Sequence, residues 1–124
     1  MRKLMLMIPM ATAFHAALAA PAFDGKWIVH LEGMNKSSVE VTLADGKGAW
    51  EMYASGAAAK GDPCVNRALP VALKSATDAE VTIAVDGNSY LKGCLNETLV
   101  LHPAADGTWT GVLSTGQAMT WTRH

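Results

Sequence analysis

Outside its amino-terminal segment the chain has three histidines, His30, His102 and His124. Histidine is the side chain best suited to acid–base work near neutral pH. A hydrolase would set one of them beside a nucleophile and a carboxylate. No Gly-x-Ser-x-Gly elbow occurs, and no Ser or Cys stands in a recognisable nucleophile setting. His30 falls on the polar face of an alternating segment, His102 near the end of another, and His124 is the last residue, where fraying is expected. All three read as surface or strand-end residues. Glu40 and Glu51 flank a turn centred on Asp45-Gly46 and should face each other across a hairpin. Paired carboxylates of that kind can divide acid and base roles. The plainer reading is a solvated wall neutralised by Lys36, Lys47 and Lys74. His30 with Met34 offers two copper-type donors, but Met34 sits in the turn Glu32-Gly33-Met34-Asn35. Zinc sites favour local His/Cys/Asp doublets, and none occurs. No metal, cofactor or enzymatic activity is expected.

Two cysteines, Cys64 and Cys94, read as one disulfide. A reactive thiol pair would show closer spacing, such as Cys-x-x-Cys. Around the cysteines the sequence gathers Tyr53, Asp62, Asn66, Arg67, Tyr90, Lys92 and Asn96. Tyr and Arg anchor protein interfaces, and covalently tied loops lose less entropy on binding. These residues form the candidate interaction surface. The competing reading is that Arg67 and the tyrosines only cover one end of the fold. A shallow small-molecule site near Tyr53, Asn88 and Tyr90 is the alternative use of the same end.

The chain is 124 residues long, enough for one domain. Half the residues are hydrophobic and 17% are charged, which excludes a disordered tail or a basic nucleic-acid arm. The first twenty residues hold four of the seven Met and no acid. Arg2 and Lys3 precede an uncharged run from Leu4 to Ala20, which ends in Ala17-Leu18-Ala19 and Ala20-Pro21-Ala22. A charged head, apolar middle and small-residue exit describe a secretory leader, with cleavage within residues 19–22. The run is shorter than the roughly 20 residues a membrane span needs, and Pro9 and His15 interrupt it. Residues 1–22 are thus expected to be removed and 23–124 to form the domain. That domain has eight basic and eleven acidic residues, a net charge of −3. Nothing in it would hold nucleic acid or an anionic membrane electrostatically. Asn35-Lys36-Ser37 and Asn96-Glu97-Thr98 fit the glycosylation pattern, which a periplasmic protein would leave unused.

From Lys26 onward the apolar period is two. Trp27, Val29 and Leu31 share a face, as do Val39, Val41 and Leu43, and then Val81, Ile83 and Val85. Alternation with β-branched and aromatic residues predicts strands. Asp45-Gly46, Asp86-Gly87 and Asp106-Gly107 are hairpin-turn signals. The stretch 54–63 is rich in Ala and Gly and reads as a loop with at most one helical turn. About eight short strands with short connections predict an antiparallel up-and-down barrel, with a β-sandwich as the alternative. The inward set includes all four Trp and would fill a short barrel.

Phe23-Asp24-Gly25-Lys26-Trp27 resembles the Gly-x-Trp that opens the first strand in calycins, the lipocalin and avidin superfamily. The resemblance implies that Trp27 closes one end of the barrel and stacks on a basic side chain from the last strand, here Arg123. It covers the two chain ends only, lacks the lipocalin Thr-Asp-Tyr signature and carries no ligand-contacting residues with it. The reading is an exported, non-enzymatic β-barrel that binds another protein in an inhibitor-like way. A calycin-type small-ligand binder is second and a hydrolase third.

Overall fold

Strict alternation produces eight strands, and their ends meet. The computed structural model describes residues 20–34, 37–54 and 60–124. The leader as far as residue 19, Asn35 with Lys36, and residues 55–59 lie outside them. One helical turn, Ala20–Phe23, leads into β1 (Gly25–Leu31), β2 (Ser37–Ala44), β3 (Lys47–Ala54), β4 (Ala68–Ala76), β5 (Val81–Asp86), β6 (Asn96–Pro103), β7 (Trp109–Val112) and β8 (Ala118–Arg123). Every neighbour is antiparallel, and β8 pairs back onto β1, closing an up-and-down barrel rather than a sandwich. Closure leaves no free edge, which removes the usual template for aggregation. Among the described residues no helix is long and apolar enough to cross a membrane.

Two of the turns follow the expected chemistry. Asp45-Gly46 and Asp106-Gly107 all have positive φ, as tight hairpins between twisted strands require. Asp86-Gly87 departs from it. Asp86 is extended at φ −111°, and Gly87 starts a 3-10 turn, Gly87–Ser89, that opens a longer connection. Gly87 is needed there for space. A Cβ would lie 2.1 Å from the Leu95 carbonyl oxygen.

The inward set is buried nearly as the alternation implies. Trp27, Val29, Leu31, Val39, Val41, Leu43, Trp50, Val71, Val81, Ile83, Val85, Leu99, Leu101, Leu113, Met119 and Trp121 all lie in the core. Leu73 is only half-buried, because the β4–β5 register shifts between Leu73 and Ser75. Met52 and Trp109 are also half-buried and pack against the core from its two ends. At Gly111 the inner face has no room for a side chain, since a Cβ would meet the Val100 carbonyl oxygen at 2.7 Å. No polar or charged side chain is buried among the described residues. The polar groups therefore all sit outside the barrel or at its ends.

The end from which β1 leaves is sealed. Phe23, the last residue of the helical turn, is 1% exposed and stacks on Trp27 at 4.5 Å between ring centroids. Trp109 meets Phe23 edge-on at 5.6 Å, and Trp121 lies 6.2 Å from Trp27. Such pairs contribute about 0.5–1.5 kcal/mol beyond the area they bury. The Trp27 indole N–H donates to the Phe23 carbonyl, so its one polar atom is satisfied. The Asp24 carboxylate accepts the backbone N–H of Asp45 and of Gly46, fastening the β2–β3 hairpin to the chain start. The Arg123 guanidinium covers the Trp27 ring at 4.0 Å and donates to the carbonyls of Ala22 and Asp24. Gly25, at φ +123°, leaves the guanidinium room. His124 does not fray. Its backbone N–H donates to the Lys26 carbonyl.

Trp27→Ala is expected to cost roughly 3–5 kcal/mol, the range for deleting a large buried aromatic. Urea unfolding monitored by circular dichroism reads it. A loss below about 1 kcal/mol would mean that Trp27 does not seal this end.

Candidate functional site

The opposite end is where the chain departs from hairpins. Four connections meet there, following β1, β3, β5 and β7. Two of them are joined covalently by the Cys64–Cys94 disulfide, with an S–S distance of 2.06 Å and Cα atoms 5.6 Å apart. Each joined connection is also tied by its own hydrogen bonds. The Asp62 carboxylate accepts the Cys64 N–H at 2.9 Å. Asn66 takes a left-handed conformation, donates its N–H to the Met52 carbonyl and brackets the Ala54 backbone with its amide. In the second connection the Asn88 amide oxygen accepts from Gly93 N–H, and that of Asn96 accepts from Asn88 N–H. Arg67 Nε donates to the Tyr90 hydroxyl at 2.6 Å, linking the two connections again.

The predicted surface residues thus divide. Arg67 and Tyr90 are brought together at the mouth and are exposed. Lys92 is exposed between Tyr90 and Cys94. Asp62, Asn66 and Asn96 spend their side chains on loop backbone. Tyr53 is exposed on the outer wall of β3, opposite Ser38 on β2 and between Met52 and Ala54, whose backbone Asn66 holds. Its phenol pKa is raised above 10.0, first by desolvation against the wall, then by a hydrogen bond to Glu51 and by the charges of Glu51 and Glu40.

Under the joined loops lies an apolar pit of about 200 Å³. Its lining is mostly apolar, with Trp50, Leu69, Leu31, Met52 and Leu113 among it, and Asp62 and Gln117 add polar groups. Gln117, on its rim, donates to the Glu32 carbonyl at 2.6 Å and so joins the β7–β8 and β1–β2 connections. Glu97 accepts both the backbone N–H and the hydroxyl of Ser114, bridging β6 to the end of β7 beyond their short ladder. Beside the pit, Tyr90 and Leu91 are 45% and 40% exposed. Sequence reasoning missed Leu91 and the pit. The available signals were a leucine in a cysteine-bearing loop and the two methionines Met34 and Met52, one in the turn after β1 and one near the end of β3.

The candidate chemistry elsewhere stays dispersed. Glu40 and Glu51 are direct cross-strand partners, and Lys26 Nζ lies 3.8 Å from Glu40. His102 Nε2 is 3.2 Å from Glu80 on the outer wall, with both side chains more than half exposed. Of Glu80 the Thr77 hydroxyl meets only the backbone N–H and carbonyl, not the carboxylate that faces the imidazole. His30 is exposed on the outer wall, whereas Met34 faces the pit, so the two do not converge. Among the described residues no group of three His, Cys, Asp or Glu is placed to hold a metal ion. The chain matches no family model, no curated protein and no solved structure.

Two expectations follow from this geometry. Replacing both cysteines by Ala should lower stability by roughly 3–4 kcal/mol, the entropy of a loop spanning 30 residues; an unchanged denaturation midpoint would contradict it. In an alkaline spectrophotometric titration Glu51→Gln should move Tyr53 back toward 10.0, because it removes one of the charges that oppose the phenolate. An unmoved titration would break the Tyr53–Glu51 contact.

Proposed function

We propose that the protein is an exported, non-enzymatic binding domain whose open end docks on another protein, in the manner of a small inhibitor. The observation that carries this reading is the mouth itself: an apolar pit beneath two disulfide-joined loops, with Tyr90 and Leu91 exposed beside Arg67. The disulfide suits an oxidising compartment, and the leader-like first residues supply the route to one.

The pit's size favours a protein partner over a free small molecule. Sites that enclose small molecules run from about 300 to 1,000 Å³. A pit of about 200 Å³ suits one inserted apolar side chain. The disulfide and the side chains of Asp62, Asn66, Asn88 and Asn96 tie these two loops to each other or to backbone, which reduces the ordering cost of binding. Arg67, Lys92 and Lys60 outnumber Asp62 on those loops, so the partner surface is expected to carry carboxylates beside its apolar side chain. At the sealed end the Arg123–Trp27 stack beside Gly25 supports a calycin-like shape, and brings no ligand with it.

Immobilised mature protein should retain a partner from periplasmic extract. Leu91→Asp and Tyr90→Ala should each weaken retention at least tenfold, while Lys74→Ala on the outer wall should leave it unchanged. A partner indifferent to both mouth variants would remove the mouth from the contact. Stabilisation by free apolar carboxylates with no protein retained would favour the small-ligand reading.

A further inference from the structure

The sequence offers two bonds for leader removal, after Ala19 and after Ala22. We propose that Ala20–Ala22 stay with the folded domain, so that the leader bond cut is Ala19–Ala20: the seal uses the Ala22 carbonyl, and an ammonium in its place would oppose Arg123. This rests on the export reading above. The step is a peptide-bond hydrolysis by the leader peptidase of the exporting cell. Water adds across the bond, Ala19 leaves with the new carboxylate, and Ala20 keeps the new α-amine.

The folded chain distinguishes the two products. Arg123 Nη2 donates to the Ala22 carbonyl at 2.7 Å, and Nη1 donates to the Asp24 carbonyl. The same guanidinium covers Trp27 at 4.0 Å. Phe23 is buried between those groups, stacked on Trp27, and its carbonyl accepts the indole N–H. A cut after Ala22 would carry that residue's carbonyl away with the leader. It would also make Phe23 the first residue, with an α-ammonium where the Ala22 carbonyl carbon had been bonded. An α-amine titrates near 7.7–8.0, so it is mostly charged at neutral pH. A cation would then stand against the guanidinium at the spot that now accepts a hydrogen bond. Phe23 could relieve the clash only by withdrawing its ring from the core. A cut after Ala19 avoids all of this. It leaves the Ala22 carbonyl in place and sets the new ammonium on Ala20, three residues from Phe23. Residues that look like leader exit in the sequence thus belong to the barrel's seal.

The full chain should be expressed in an exporting bacterial host and the periplasmic product weighed intact. The expected mass is that of residues 20–124 with the disulfide formed. A product beginning at Phe23 would overturn this proposal and leave export standing. A product that retains residues 1–19 would overturn the export reading, and this proposal with it. A second measurement does not depend on the host's peptidase. Chains beginning at Ala20 and at Phe23, each released from a fusion without extra residues, should melt several degrees apart at neutral pH, the Phe23 form lower. Arg123→Gln should narrow that gap, since it removes one of the two opposed charges. Equal melting temperatures, or a gap that Arg123→Gln leaves unchanged, would overturn the proposal.

Discussion

The structure depends on filling a closed ring of strands with indoles. Trp27 and Trp50 both lie against Trp121, with ring centroids 6.2 and 6.4 Å from it, and all three are essentially inaccessible. Eight strands enclose a space that side chains can just fill, and close packing leaves almost none of it for a guest. Among the described residues no polar or charged residue is buried in that interior. Whatever the protein recognises must be met at an end or on the outer wall. One end is shut by Phe23, Trp109 and Arg123. The tapering of the core toward Met34, Met52 and Leu95 leaves the other end open as a pit.

Much of this arrangement could be read from alternation. The period of two marks the inward set, and two Asp-Gly pairs mark tight turns. The cysteine pair was legible from residue types, and the Trp27–Arg123 contact is one that the calycin resemblance implies. What stayed hidden has a common cause: it depends on residues distant in sequence that adopt no period. Phe23 precedes the first alternating run, and only the folded ring shows it to be core. Leu69 joins the core because β4 begins earlier than the alternation around Val71 suggests, and Val65 is buried next to the bridged Cys64. Asp86-Gly87 carries a hairpin signature, yet the chain there spends its glycine on a close approach to Leu95.

The seam between β6 and β7 shows how the ring tolerates an imperfect strand. Only His102 with Thr110 and Pro103 with Trp109 pair across it. Above them Gly111 brings β7 close to the Val100 carbonyl, and Glu97 holds Ser114 by two hydrogen bonds. A carboxylate thus replaces missing ladder bonds, and charge-assisted bonds of this kind are stronger than neutral ones. The repair lies at the mouth, beside Leu113 and Gln117, so strand closure and the shape of the pit are fixed by the same few contacts.

Among the described residues, the polar side chains of the mouth loops are largely engaged within the loops. Asp62, Asn66, Asn88 and Asn96 turn their side chains onto backbone, as short polar side chains in loops do. Polar residues that looked available for contact are therefore already committed, and their replacement would loosen the loops rather than remove a contact. Exposed apolar area at Tyr90 and Leu91, with cationic groups at Arg67 and Lys92, is what remains outward. A surface of that composition gains by burying its apolar part and by meeting opposite charge at its edge. Because Arg67 is held to Tyr90, its orientation is set before any partner arrives, and the specificity of the proposed contact would lie in that pair rather than in the neighbouring amides.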